Sequence, residues 1–423
     1  MYFSFYILIF LLNFIFTFAV FIPNGRWFHS SVLIDKKLYF KGGNKLSNNS
    51  NEALTNELFY LDVSKPFTTT DNVSIPWIDL TYTGGPLKGE ATACIGGKNH
   101  NKIFEFGGYS LLNQSFANQS LVKSFVNQSF VNQYDTSKQQ WSSIESIESV
   151  GPGYRQDISC ANFNSGLIAI FSGLSNPVPI NDLWIFNTLT LSWNLSNAVN
   201  PPPQRFGYCA ITLPDENILY LGGIKFNDLY DDSSYMPMNI LPLYNTTSHM
   251  WKNMNISGPI PSARTYFSAI LTPDRRVIIF GGCTKGVPRG DLWILDTVVF
   301  QWSIGKILNS IEGLVLCGHT ATLVEIYMIV AFGSFLNGSL SSKLFMLDVS
   351  QNDSYRWVNE FTTNVTFPNN TIISDFKIPS LTIWVIAGCV IFLIILIIAV
   401  ICYRTYKNLR HKQLQEAINN MSI

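Results

Sequence analysis

Charge is scarce in this chain and evenly split. Its 423 residues carry 28 Lys+Arg against 28 Asp+Glu, for a formal net charge of zero. A chain with no basic excess lacks the electrostatic footprint of a nucleic-acid binder. Histidine is scarcer still, at five. Copper chemistry needs clustered imidazole and phenolate ligands, and no His-His pair or His-rich cluster is written here. There is no Gly-x-Ser-x-Gly elbow, no phosphate loop and no Cys-x-x-Cys pair. Those absences argue against elbow-type acyl transfer, nucleotide hydrolysis and thiol redox chemistry. No catalytic residue, metal site or cofactor is expected.

What the chain has in quantity is apolar and aromatic: 47% hydrophobic and 14% aromatic residues, with 28 Gly and 19 Pro. That mixture favours strands joined by tight turns. Two long apolar runs stand apart. Met1 to Ala19 reads as a secretory signal peptide, with Thr17 and Ala19 as a small-residue cleavage site. It has no Lys or Arg at its start, so an uncleaved anchor is the alternative. Leu381 to Tyr403 is 23 residues without a charge, enough at about 1.5 Å per residue to span a hydrocarbon core of about 30 Å. Arg404, Lys407, Arg410, His411 and Lys412 follow it, as expected on the cytoplasmic side.

The expectation is therefore a single-pass type I protein of the cell membrane, its bulk extracellular or luminal. Asn-x-Ser/Thr sequons support that topology. Twelve lie between the two runs, at Asn48, Asn72, Asn113, Asn118, Asn127, Asn194, Asn245, Asn255, Asn337, Asn352, Asn364 and Asn369. They are candidate glycosylation sites. Five cysteines share this region: Cys94, Cys160, Cys209, Cys283 and Cys317. Cys94, Cys160, Cys209 and Cys317 fall at similar places in the repeat described next. They are expected as small buried apolar residues rather than bridge formers.

A phrase recurs along the chain: a large apolar residue, Asp or Asn, Thr, four variable residues, then Trp. It appears as "YDTSKQQW" from Tyr134, "FNTLTLSW" from Phe186, "YNTTSHMW" from Tyr244 and "LDTVVFQW" from Leu295. Related Trp residues make the series Trp77, Trp141, Trp193, Trp251, Trp302 and Trp357, spaced 51 to 64 residues apart. A strand-like run ending in small residues precedes each. Four end in a glycine pair: Gly42-Gly43, Gly107-Gly108, Gly222-Gly223 and Gly281-Gly282. The others end "IAIFSG" and "MIVAFGS". An extended segment, often opened by Arg, comes before that. One unit is thus four strands, A to D, and a period of this length is a propeller blade.

The glycine pair, a large residue and a spaced Trp resemble the kelch repeat, as in the central domain of galactose oxidase and in many interaction propellers. The resemblance covers about residues 25 to 360 in six units. The fold class it implies is all-β, a six-bladed kelch-type β-propeller. The expected order is signal peptide 1–19, propeller 20–360, stalk 361–379, transmembrane helix 381–403 and cytoplasmic tail 404–423. Blades are expected at about 25–80, 86–145, 152–197, 203–255, 261–305 and 314–360. Glycine should supply positive φ or close approach, Asp/Asn-Thr should open the C–D turn, and Trp should fill the wedge between blades.

Resemblance to galactose oxidase raises an oxidase or carbohydrate-active enzyme as one alternative. The scarcity of His, and the absence of the Ser-x-Asp-x-Gly box of sialidase propellers, favour a non-catalytic binding module. His29 and His319 occupy equivalent places on strand A of blades 1 and 6 and are expected as packing. The B–C links vary in length and share a face with the D–A links, which makes that rim a recognition surface. Arg26, Arg155, Arg205 and Arg264 start strand A on that face. In some interaction propellers of the family, arginines there grip acidic peptides, so these four are the candidate binding residues. The competing role is to brace the neighbouring blade. The loop Leu111 to Gln133, a near-tandem of Asn-Gln-Ser-Phe, reads as an expanded surface insertion. The expected partner is an extracellular protein or glycan. A further alternative is a polarity or adhesion landmark resembling those of fungi.

Overall fold

In a computed structural model, residues 20–46, 52–110, 129–144, 151–175, 180–225, 231 and 234–368 are described. Expected segments 1–19, 381–403 and 404–423 lie outside them, as does the tandem loop through residue 128. The described residues are all-β apart from one 3-10 turn, Thr81–Thr83. Among them no helix is long and apolar enough to cross a membrane.

Six four-stranded antiparallel sheets follow one another along the chain. Strand A of blades 1 to 6 is Ser30–Ile34, Gly89–Gly96, Cys160–Phe163, Cys209–Thr212, Ser268–Leu271 and Thr320–Val324. Strand B is Lys37–Lys41, Lys102–Tyr109, Leu167–Phe171, Ile218–Leu221, Arg276–Phe280 and Tyr327–Ala331. Strand C is Leu58–Asp62, Val131–Asp135, Leu183–Asn187, Ile240–Asn245, Leu292–Asp296 and Leu344–Asp348. Strand D is Trp77–Asp79, Gln140–Ile144, Ser192–Leu195, Met250–Asn255, Gln301–Ile304 and Arg356–Val358.

The core is divided among the six seams between blades. Each seam has its own apolar cluster, and the seam from blade 6 to blade 1 is no exception: Phe40, Phe59 and Trp77 meet Ile329, Phe332 and Met346 there. Every repeat Trp packs toward the preceding blade. Trp251 of blade 4 lies 5.0 Å from the Phe171 ring of blade 3, and Trp193 of blade 3 lies 5.8 Å from Phe106 of blade 2. Trp77, Trp302 and Trp357 are buried; Trp141, Trp193 and Trp251 are half-buried.

The Asp/Asn-Thr step has two jobs. Asp135, Asn187, Asn245 and Asp296 each accept backbone N–H groups two and three residues on, which forms the C–D turn. The threonine hydroxyl then ties that turn to the A–B hairpin. Thr136, Thr188, Thr246 and Thr297 donate to the carbonyls of Asn101, Gly166, Glu216 and Arg275.

Each glycine pair is a seam device. Gly43, Gly108, Gly223 and Gly282 have φ from 80° to 91°, a region that favours glycine. Their N–H groups donate across the seam to the carbonyls of Lys88, Arg155, Arg264 and Leu316, at 2.9 to 3.1 Å. Gly173 and Gly333 do the same to Arg205 and Arg26, at 3.0 and 2.8 Å. The glycine-pair position therefore carries one bond to the next blade at all six seams.

Among the described residues no strand is exchanged to close the ring. A two-stranded pairing of Phe67–Thr68 with Glu360–Phe361 clasps blade 1 to the chain beyond blade 6, with Phe67 and Phe361 stacked at 4.9 Å. This clasp accounts for the stretched C–D link of blade 1. It also carries the propeller to Phe361, into the range expected for the stalk.

Two expectations about cysteine are corrected. Cys94 is bonded to Cys160, and Cys283 to Cys317. Each disulfide joins neighbouring blades, 2 to 3 and 5 to 6. The linear spacings hide both pairs because it is the ring that brings adjacent blades together. Cys209 is the unpaired fifth.

Candidate functional site

In each blade, strand A or the residues leading into it line a channel of about 220 Å³ along the axis. At one end, two residues after the Arg position, stand Phe28, Glu90, Asp157, Gly207, Tyr266 and Gly318. All six have positive φ, from 53° to 65°. The N–H of each donates to the carbonyl of the equivalent residue in the preceding blade, at 2.9 to 3.1 Å, and Phe28 donates to Gly318. Six blades are thus joined by one closed circle of backbone hydrogen bonds. Left-handed backbone costs a non-glycine residue about 1 kcal/mol or more. The circle and the seam bonds hold it there.

The side chains at this end are aromatic and acidic. The Tyr266 hydroxyl donates to Asp157 Oδ2 at 3.0 Å, and burial raises the Tyr266 phenol well above its usual range. Glu90 and Asp157 are the charged residues lining the channel. Deeper in, the Nε2 of His29 bonds the Thr320 hydroxyl at 2.9 Å, and that of His319 bonds Ser268 at 2.8 Å. Burial, helped by Arg26 and His319, pushes His29 well below the usual imidazole range; burial takes His319 to about 4. Both are neutral packing groups, set edge-on against Phe332 and Phe280. Among the described residues no group of three or more His, Cys, Asp or Glu converges as a metal site.

The four arginines are not at the mouth of this channel. Each is buried, at 0 to 4% exposure. Each Nε donates to the carbonyl two residues earlier, in Asn24, Gly153, Pro203 or Ser262. Each Nη1 reaches the first carbonyl of the glycine pair or its substitute: Gly42, Ser172, Gly222 or Gly281. Three also hold a carboxylate from the start of strand C in their own blade. Arg26 pairs with Glu57, Arg155 with Asp182 at 2.6 Å, and Arg264 with Asp291 at 2.7 Å. Burial alone would raise the Asp291 carboxyl, but Arg264 and the Trp293 indole N–H hold it below the ordinary range. These three arginines brace their blades. The charged side chains at this end of the channel are Glu90 and Asp157 rather than the arginines.

The acidic partners were missed in the sequence reading, although a signal was there. "NDLWIF" and "GDLWIL" repeat an Asp-Leu-Trp triplet at the head of strand C. In both, Asp binds the arginine and the indole of Trp184 or Trp293 donates back to that Asp, at 2.8 and 2.7 Å.

Sequence comparison agrees with this geometry. The model of the KLHDC2/KLHL20/DRC7 Kelch-repeats domain matches residues 29–240 and 230–371. The chain belongs to the kelch-repeat family. Kelch domain-containing protein 3 of Bos taurus is 25% identical over 298 residues, 65% of this chain and 68% of that protein. Tip elongation aberrant protein 1 of Schizosaccharomyces pombe is 31% identical over 150 residues, 34% of this chain. Acyl-CoA-binding domain-containing protein 4 of Arabidopsis thaliana is 23% identical over 141 residues, 33% of this chain. The kelch chain spans 13% of the length of the second of these and 20% of the third.

One kelch arginine differs from the other three. Arg205 has no carboxylate partner among the described residues. Its hydrogen bonds are those to Pro203 and Gly222, long at 3.4 and 3.5 Å, and burial lowers its pKa to about 10. In blade 4 the register puts Ile240 where blades 3 and 5 have Asp182 and Asp291, and Pro242 where they have Trp184 and Trp293.

Proposed function

We propose that this kelch propeller is a non-catalytic recognition module, displayed outside the cell on a single-pass membrane protein and binding an extracellular protein or glycan through its loop-bearing face. The observation that carries the extracellular placement is the pair of inter-blade disulfides, because such bonds persist in oxidising compartments. The sequons support it. Of the seven within the described residues, Asn194, Asn255, Asn337, Asn352 and Asn364 are exposed, Asn72 and Asn245 are half-buried, and none is buried. The apolar run 381–403 and its basic flank supply the anchor in this reading.

Topology is tested on intact cells expressing the full chain. Glycosidase should lower its apparent mass, and added protease should remove the propeller. A protein that neither treatment touches overturns the extracellular placement. A protein and glycan array probed with the purified full chain tests the recognition role. The similarity to a protein named for tip elongation favours a second reading, a landmark of polarised growth. Concentration of the tagged chain at growing tips would select it; an even surface distribution would reject it.

A further inference from the structure

Blades 3 and 5 fill the space beside their strand A arginine with an aspartate and an indole. Blade 4 does not. Its Ile240 and Pro242 line a cavity of about 420 Å³ together with Arg205, Lys225, Trp251 and Lys252. No acidic residue lines this cavity among the described residues. Arg205 is 4% exposed, and its Nη2 makes no hydrogen bond among the described residues. The Nε1 of Trp251 is buried and likewise has no partner, whereas the equivalent nitrogens of Trp141 and Trp302 donate to Thr83 and to the Met238 carbonyl. One buried indole N–H without a partner, and an arginine whose Nη2 has none among the described residues, thus border one cavity. Leaving such groups unmet is costly, and a charged one more so.

We propose that this cavity between strand C of blade 4 and the linker from blade 3 binds a carboxylate attached to a flat apolar group. Arg205 takes the carboxylate, as its three counterparts take Glu57, Asp182 and Asp291 within the chain. The Trp251 N–H gives a second donor. Lys225 and Lys252 add positive charge at the rim, and Ile240 and Pro242 form the apolar wall where two sister blades carry an Asp and a Trp. The inference holds wherever the protein resides, so it stands or falls apart from the extracellular reading.

The test uses the full chain with 15N-labelled tryptophan. Benzoate and benzamide are titrated separately. So are a blocked peptide copying residues 181–185 and the same peptide with Asn in place of its Asp. The expected result is a saturable shift of the Trp251 indole signal, assigned by Trp251→Phe, with the two carboxylate probes and not with their amides. Ile240→Asp restores the internal carboxylate of the sister blades. It should weaken binding at least about tenfold while raising the thermal midpoint, which separates loss of the site from loss of the fold. A response to the peptide alone assigns the carboxylate to a protein chain, and a response to benzoate alone to a small acid; both sustain the proposal. Equal response to acid and amide, no response of the Trp251 signal, or undiminished binding by Ile240→Asp overturns it.

Discussion

The backbone N–H of Phe28 donates to the carbonyl of Gly318 at 2.9 Å and completes the circle of hydrogen bonds around the axis. The two residues lie near opposite ends of the propeller sequence. The same seam holds the bond from Gly333 to the Arg26 carbonyl, at 2.8 Å, and the clasp of Phe67–Thr68 on Glu360–Phe361. Phe361 is 1% exposed and stacks on Phe67. Phe361→Ala should therefore cost about 3 kcal/mol, the scale for truncating a buried ring. Hydrogen exchange should rise first at the seam between blades 6 and 1. A loss spread evenly over all six seams would show that the clasp does not hold the closure.

The repeat tryptophans should not be energetically equal. Trp302 is fully buried and its Nε1 donates to the Met238 carbonyl at 2.8 Å. Trp251 is half-buried and its Nε1 has no partner. Trp302→Ala is expected to cost about 3 to 5 kcal/mol and Trp251→Ala less. Denaturant midpoints of the two variants, at unchanged slope, provide the comparison. Equal costs would mean that burial at the seam does not set the contribution.

Between blades 1 and 2, Lys41, Lys88 and Glu105 share a buried site. Lys41 Nζ stands 3.8 Å from Glu105, and Lys88 Nζ donates to the Ser129 carbonyl at 2.9 Å. Burial lowers the Lys88 pKa to about 8, with Glu105 opposing the shift and Lys41 adding to it. A lysine whose folded pKa is depressed binds fewer protons than in the unfolded chain between about pH 8 and its ordinary value. Stability must then rise with pH through that window, and the penalty is fully present below it. The wild-type chain should gain about 2 kcal/mol relative to Lys88→Met between pH 7 and 9.5. Parallel stability curves for the two proteins would exclude the effect.

The disulfides close stretches of 66 and 34 residues. Removing either should cost up to about 4 kcal/mol on the chain-entropy account. Non-reducing peptide mapping should recover Cys94 with Cys160 and Cys283 with Cys317. Cys209 is half-buried on the channel wall, its Sγ donating to the Phe267 carbonyl at 3.1 Å, and desolvation pushes its thiol up to about 12. It should alkylate only after unfolding, since the thiolate is the reactive form. Rapid labelling of Cys209 in the native protein, or any other pairing, would contradict this arrangement.

The six-bladed fold was legible because each blade must meet the next through the same contacts, so its seam residues recur in the sequence. The glycine pair, the Asp/Asn-Thr step and the Trp are all seam or turn devices. What was not legible depends on which residues the ring brings together. The Cys94–Cys160 pair has no sequence spacing to announce it. Arg26, Arg155 and Arg264 look like free cations in the sequence, because their acids lie at least 27 residues downstream, at the head of strand C. The difference at Arg205 becomes visible only when strand C is read in register across blades, where Asp-Leu-Trp gives way to Ile240-Leu241-Pro242.

The circle of backbone bonds also has a symmetry that bears on the channel. Its six N–H···O=C dipoles run head to tail around the axis in one rotational sense. Vectors arranged in that way cancel pairwise across the centre. Unlike an α-helix, whose aligned peptides leave a charged pole at each end, the circle contributes no net pole to the opening. The field there belongs to the side chains, above all to Glu90 and Asp157. Six backbone positions of equivalent geometry here carry Phe, Glu, Asp, Gly, Tyr and Gly, so one substitution can weaken that field and two can reverse its sign while the circle beneath it stays the same.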